Sequence, residues 1–320
     1  MRFIDSYFYN PSFWQKLLSI LLLPLSVLYA LSATLRRKLS PHHIFSIPII
    51  SVGNLILGGT GKTPFIIEVA SRYQKAFIIS RGYKRKSKGL VVVSLHGEIL
   101  CSQQEAGDEA YLIATSLPNA SVIVSKNRLE AVHKAISLGA SCIFLDDGFR
   151  FNFQKLNLIL KPKLEPYFPF TLPSGMYREM PYLYKSADLL IQEQQEYVRE
   201  VFVENPTSAM LLLTAIANPA RLDDFLPESI VGKILLRDHA DFDKEFLAQE
   251  IRRTQATSLL VTPKDEVKLQ GLGFKLSVLR LRLKIKDEVL ERIDSYIAEH
   301  TQSNILHQEK QPTTSKHYLV

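Results

Sequence analysis

The stretch Gly53-Asn54-Leu55-Ile56-Leu57-Gly58-Gly59-Thr60-Gly61-Lys62-Thr63-Pro64 carries the most pointed chemistry in this sequence. An apolar β-branched run precedes it and a helical pattern follows, so the order is strand, glycine-rich loop, Lys-Thr, helix. Glycines let backbone N–H groups converge on phosphate oxygens, and the helix amino terminus adds a positive dipole end. Gly58, Gly59, Thr60 and Gly61 would form the cradle, Lys62 would reach the β- and γ-phosphates, and Thr63 would offer its hydroxyl to Mg²⁺. The strict spacing G-x-x-x-x-G-K-[ST] is not met, because Ile56 stands where its first glycine belongs. A phosphate loop of this type expects a second strand, apolar and ending in an acid. Cys142-Ile143-Phe144-Leu145-Asp146-Asp147-Gly148 fits. One aspartate would hold Mg²⁺, directly or through water, while its neighbour shapes the loop.

These residues need a scaffold, and the surrounding pattern provides one. Short apolar runs at 47–52, 76–80, 90–95, 121–124, 141–145 and 156–160 alternate with helical stretches at 64–73, 108–116 and 127–138. That βαβα rhythm predicts an α/β fold: a P-loop-type, mainly parallel sheet with helices on both faces. A second set of strands at 188–192, 210–215, 234–236, 258–261 and 275–279 predicts a smaller α/β domain. The expected organisation is a membrane-associated helix in 1–40, a nucleotide-binding domain in 41–203 and a C-terminal domain in 204–300. Glu204-Asn205-Pro206-Thr207 is the linker candidate, and 301–320 is a polar tail expected to be disordered.

At 320 residues, 46% hydrophobic and 22% charged, the chain is neither disordered, collagen-like nor a disulfide scaffold. Its two cysteines, Cys101 and Cys142, form no CxxC and read as thiols in a reducing compartment. The charge is unevenly spread. Residues 1–100 hold 13 Lys/Arg against three acids (Asp5, Glu68, Glu98), and the remaining 220 hold 26 against 29. A basic third of this kind faces something anionic. Beside it, residues 17–35 form 19 uncharged positions, 14 of them apolar, closed by Arg36-Arg37-Lys38. The length suits a marginal membrane span, with Trp14 and Tyr29 available at an interface. Pro24, Ser19, Ser26, Ser32 and Thr34 weaken that reading, so an interfacial anchor and a buried core helix both stay open. An anchor followed by Arg-Arg-Lys would keep the next domain cytoplasmic. Nucleic acid is not an expected partner, because no aromatic or helix-turn-helix reader accompanies the basic residues.

The flanks of the two motifs narrow the substrate. Val52-Gly53-Asn54-Leu55 leading into Gly58-Gly59-Thr60-Gly61-Lys62-Thr63-Pro64 resembles the signature of the tetraacyldisaccharide 4′-kinases, membrane-associated enzymes that phosphorylate the lipid A precursor. In the same order, Ser80-Arg81-Gly82-Tyr83 resembles that family's SRGY element, Gly107-Asp108-Glu109 its GDEP, and Asp146-Asp147-Gly148-Phe149 its DDG-(F/L)-Q. Leu172-Pro173-Ser174-Gly175 with Arg178-Glu179 looks like its LPAGPLRE, Asp238-His239 its DH element, and Thr262-Pro263-Lys264-Asp265 its TEKDA. The similarity spans roughly residues 12–270, and the family's own phosphate loop lacks the glycine missing at Ile56. The chain departs from the pattern at Lys84-Arg85, Ala110, Arg150, Phe151, Met176-Tyr177 and Ala240.

The resemblance implies transfer of the γ-phosphate of ATP, with Mg²⁺, to the 4′-hydroxyl of tetraacyldisaccharide 1-phosphate, giving lipid IVA at the cytoplasmic face of a bacterial inner membrane. It implies that Asp108 is the base for that hydroxyl, with His239 orienting or tuning it. It also implies metal contacts from Thr63, Asp146 and Asp147, and substrate contacts from Asn54, Arg81, Tyr83, Arg178 and Glu179. Read without it, Asp108 is a helix cap and the Arg81 to Lys88 segment a solvated basic loop. The competing function is a membrane-tethered P-loop nucleotide switch without lipid kinase activity. Lys264-Asp265 gives that switch no guanine-reading [NT]-K-x-D motif, since its Lys and Asp are adjacent.

Overall fold

The computed structural model describes residues 3–216, 219–237 and 240–309. Two helices open the chain, α1 (Phe3–Tyr9) and α2 (Phe13–Leu39), the second started by a capping box between Ser12 and Gln15. There follow β1 (Ile49–Gly53), α3 (Lys62–Ala70), β2 (Ala76–Ser80), β3 (Val91–Leu95), β4 (Glu98–Ile99), α4 (Gln103–Ala106) and α5 (Asp108–Ser116). Then come β5 (Ser121–Val124), α6 (Arg128–Ser137), β6 (Cys142–Asp146), β7 (Leu156–Leu160) and β8 (Leu189–Ile191). These strands form one eight-stranded sheet in the order β4-β3-β5-β2-β6-β1-β7-β8. From β5 to β8 all pairs are parallel; β3 and β4 join antiparallel at the edge.

The central strands read as unbroken apolar runs because both faces are covered. IISVG, AFIIS and CIFLD are buried at every position. Phe77, Ile79, Ile123, Ala131, Val132 and Ile143 fill one core cluster of this sheet. The carboxyl ends of β1, β2 and β6 lie side by side, so the loops that leave them converge. That is where open α/β sheets place their ligand crevice.

A second compact unit, Arg199–Lys284, is built around β10 (Met210–Thr214), β11 (Ile230–Leu235), α7 (Lys244–Thr254), β12 (Ser258–Val261) and α8 (Pro263–Leu269). With β9 (Tyr197–Glu204) and β13 (Leu276–Ile285) the sheet order is β11-β10-β12-β13-β9. Inside this unit Asp265 accepts from the hydroxyls of Thr214 and Thr262 and from the Ala215 amide, tying the end of β10 to the start of α8.

The expected α/β class is what the chain forms, and β1, β2, β3, β5, β6 and β7 fall within two residues of their expected positions. The short β4 was not expected, and the run at 188–192, grouped with the second set, forms β8 of the first sheet. Three further details differ. The linker expected at 204–207 lies in the loop between β9 and β10 except for Glu204, yet the second unit begins earlier, at Arg199, because Val201 and Val203 turn inward onto the cluster of Met210 and Leu212 while Glu200, Phe202 and Glu204 face out. The second domain was expected to run to 300, yet α9 (Asp287–Glu309) belongs to the first unit. Its Asp294 accepts from Tyr73 Oη at 2.5 Å and pairs with Arg72 at 3.1 Å, and Ile293 is buried. The same helix continues through 301–309, part of the expected disordered tail; a helix already nucleated extends at little cost through residues such as Gln302 and Leu306.

Candidate active site

The phosphate loop leaves β1 at Gly53 and enters α3 at Lys62. Gly61 caps α3 with φ +85°, in the left-handed region where a side chain is strained. Asn54 is buried beneath the loop, its amide donating to Gly58 O at 3.4 Å. Lys62 therefore folds back, with Nζ 3.2 Å from Asn54 Oδ1 and 3.3 Å from Asp147. The Thr60 hydroxyl is buried and has no partner among the described residues. Ile56, the residue in place of a glycine, is buried against Ile159, Tyr177 and Leu183 and bridges Tyr177 in antiparallel fashion. Its side chain fastens the loop to the segment that carries Arg178.

Asp147 is the hub of the charged groups. Arg178 grips it with both guanidinium arms, at 3.1 and 3.2 Å, and also donates to Asn54 Oδ1. Burial works to raise the Asp147 carboxyl, but Lys62 and then Arg178 outweigh it and hold the group below the usual carboxylate range. With 38% of its side chain exposed, these pairs are screened by water. Asp146 behaves oppositely. It is buried, its Oδ2 accepts from Ser80 Oγ at 2.8 Å, and burial followed by the charge of Asp147 pushes its carboxyl up. Two adjacent carboxylates thus sit in environments that drive their proton affinities apart.

Asp108 is the first residue of α5, and the cap position is Gly107. Gly107 has φ +85°, and a Cβ there would lie 2.7 Å from Tyr83 O, so glycine is required where the two loops touch. Gln103 Nε2 donates to Asp108 Oδ1 at 3.1 Å. The basic loop after β2 is pinned to α4: Lys86 N donates to Gln104 O at 2.8 Å, Lys86 Nζ to Gln104 Oε1 at 2.8 Å, and Ser87 Oγ to Glu105 O at 2.6 Å. The loop is anchored by these bonds, while Arg81, Tyr83, Lys84, Lys86 and Lys88 face solvent as a basic loop does. Tyr83 stays 63% exposed and Arg81 is exposed. The charge of Glu109, in the first turn of α5, adds a smaller push in the same direction on the Asp146 carboxyl.

The structure therefore gathers Asn54, Lys62, Asp147 and Arg178 directly, joins Asp146 to them along the chain, and brings Gly107, the residue before Asp108, against the Tyr83 carbonyl. Glu179 is buried and pairs with Arg150 at 2.8 Å. Thr63 follows Lys62 at the start of α3. Asp238 and His239 lie outside the described residues.

Two residues were not foreseen. Arg128 is 3% exposed, and its guanidinium donates to Ser80 O, Ser125 O and Asp146 O, stitching together the carboxyl ends of β2, β5 and β6. Burial lowers it to about 10, which still leaves it charged at neutral pH. A lone Arg opening a helix gives no signal of this; only the parallel strand order makes it the common neighbour of three strand ends. Arg128→Met should cost about 1–3 kcal/mol by leaving buried carbonyls without donors, read as a lower denaturation midpoint. Arg150 is the other: besides Glu179 it reaches Arg178 O at 3.2 Å and Tyr29 Oη at 3.4 Å.

A parallel sheet whose first strand feeds a glycine-rich loop and a Lys-Thr helix, beside an Asp-Asp strand end, defines a phosphate-loop nucleotide enzyme. A family model for LpxK, tetraacyldisaccharide-1-P 4'-kinase, matches residues 18–298, and the chain belongs to that family. Among its relatives is the tetraacyldisaccharide 4'-kinase of Helicobacter acinonychis, 57% identical over 295 residues, which are 92% of this chain and 95% of that protein. The enzyme of that name from Campylobacter jejuni (strain ATCC 700819) is 43% identical over 301 residues, 93% and 97% of the two chains. Among solved structures, an LpxK from Aquifex aeolicus, crystallised in complex with ATP, superposes with a TM-score of 0.73 at 28% identity, covering 89% of this chain and 99% of that one. The chain is a kinase, and these matches do not favour the nucleotide-switch reading.

Proposed function

We propose that this protein transfers the γ-phosphate of ATP to the 4′-hydroxyl of tetraacyldisaccharide 1-phosphate, yielding lipid IVA, on the cytoplasmic face of a bacterial inner membrane. The observation that carries the reading is the Asn54–Lys62–Asp147–Arg178 cluster at the root of a phosphate loop. Phosphoryl transfer asks a protein for positioning and charge more than for covalent chemistry. Lys62 and the loop amides hold the β- and γ-phosphates. Asp147 and Asn54 fix the Lys62 ammonium, and Arg178 offsets negative charge on the same hub. Asp108, at the positive end of α5, accepts the proton of the attacking hydroxyl. Arg81 and Tyr83, both exposed, contact the phosphorylated disaccharide, while Glu179 holds Arg150 from a buried position behind Arg178.

Mg²⁺ suits this donor set. Thr63, Asp146 and Asp147 offer hard oxygens, the ligand type for a cation held by one or two carboxylates with phosphates completing its shell. When bound, Mg²⁺ would neutralise charge on the triphosphate. Transfer of label from γ-labelled ATP to the tetraacyldisaccharide tests the reading.

The membrane part rests on α2. The helix is long and apolar enough to cross a membrane by length and composition. Its polarity is inside out: Gln15, Ser19 and Ser26 are buried against the protein, while Trp14, Leu21, Leu25, Leu28, Leu31 and Leu35 point outward at 54–75% exposure. An outward face of that kind needs lipid as its solvent. Gln15, Ser19 and Ser26 seat the first half of α2 on the domain, which favours a helix lying in the interface, with Arg36, Arg37 and Lys38 at headgroup level. Leu21→Glu with Leu28→Glu should move the protein from sedimented membranes to the supernatant without lowering its melting temperature.

A further inference from the structure

Four hydroxyl residues join α2 to the segment that presents Arg178. Ser26 Oγ donates to Thr171 O at 2.8 Å, and Thr171 Oγ1 donates back to Ser26 O at 2.9 Å. Ser26 Oγ also accepts from Ser174 N at 2.9 Å. Two turns earlier, Ser174 Oγ donates to Ser19 O at 2.7 Å, and the hydroxyls of Ser19 and Ser174 lie 2.8 Å apart. All four residues are at most 3% exposed. An anchor needs an apolar face and nothing more. Reciprocal hydroxyl–carbonyl bonds instead fix the rotation and register of a helix against its neighbour.

The segment so held continues straight into the site. Leu172 N donates to Tyr177 O at 2.9 Å, Leu57 N to Met176 O at 3.0 Å, and Arg178 N to Leu55 O at 2.7 Å. One side of residues 171–178 is thus bonded to α2 and the other to the phosphate loop. The Arg178 guanidinium closes the chain on Asp147 and Asn54.

We propose that Ser19, Ser26, Thr171 and Ser174 are positioning residues for phosphoryl transfer: they seat the 171–178 segment on the membrane helix and thereby hold Arg178 on Asp147 and Asn54. This rests on the kinase reading above. The membrane helix is then part of the frame of the active site, and its displacement is passed to the phosphate loop.

The test is a kinetic cycle on the full chain in lipid-containing micelles. It compares wild type, Ser19→Ala/Ser26→Ala, Arg178→Ala and the triple variant. Removing the hydroxyls should lower kcat between about 10- and 100-fold, the scale of a misplaced catalytic group, with membrane binding unchanged. In the Arg178→Ala background the same change should cost much less, because coupled residues are non-additive. Ser26→Thr, which keeps a hydroxyl, should restore most of the rate. An unchanged kcat, or losses that simply multiply, would overturn the proposal. If the double variant does not fold, Thr171→Val removes a single donor and carries the same comparison. Absence of transfer by wild type would instead refute the kinase reading, so the two failures are told apart.

Discussion

Asp108→Ala should leave ATP binding near normal and lower kcat for phosphoryl transfer by about 10²–10⁴-fold, the contribution of a positioned general base. The acid stands at the first position of α5, bonded to Gln103, with the exposed Tyr83 across the Gly107 contact. Its alternative is a structural one: an acid in a first helical turn stabilises the helix by about 0.3–1 kcal/mol. The two roles separate cleanly. A structural Asp108 would lower the melting temperature slightly and leave kcat intact. A base would do the reverse, and Asp108→Asn, which keeps the shape and the Gln103 contact, should be as inactive as alanine. Steady-state kcat and KM for ATP, with thermal melts of the same preparations, read both.

Lys62→Ala should be the second large loss, and its signature differs. The ammonium is the group aimed at the phosphates, so its removal should raise the KM for ATP and lower kcat by about 10²–10³-fold, the scale of one lost charge-stabilising donor. Stability should hardly move. Asp147 keeps Arg178, and the pairs are partly exposed, where exposed ion pairs contribute about 0–1 kcal/mol. The sign of the small remainder follows from the depressed Asp147 carboxyl. A lowered carboxylate adds stability above its unfolded pKa and loses it as pH falls through the folded value. The Lys62→Ala deficit should therefore appear at neutral pH and shrink on acidification.

The sequence carried the nucleotide half of this site plainly. Glycine, lysine and strand context are local, and β1, α3 and β6 follow from runs short enough to be read one at a time. What stayed hidden depends on contacts far apart in the chain. Arg128 gains its place only when β2, β5 and β6 stand in parallel order. Ser19 and Ser26 counted against a membrane helix as isolated polar residues, yet they face Thr171 and Ser174 some 145–155 positions away. The period-two pattern in β9 is blurred in the sequence because its outward positions include the apolar Val198 and Phe202. Ile56 shows the opposite case: it broke the phosphate-loop spacing, and the fold accounts for it as an apolar peg against Tyr177 and Leu183.

The central claim is lipid phosphorylation at a defined hydroxyl. The most direct measurement incubates the full chain with γ-labelled ATP, Mg²⁺ and tetraacyldisaccharide 1-phosphate in mixed micelles, then locates the new phosphate on the product. The account predicts a bisphosphorylated lipid labelled at the 4′-position, formed about 10²–10⁴-fold more slowly by Asp108→Ala. Hydrolysis of ATP without labelled lipid, or label at any other position, would contradict it.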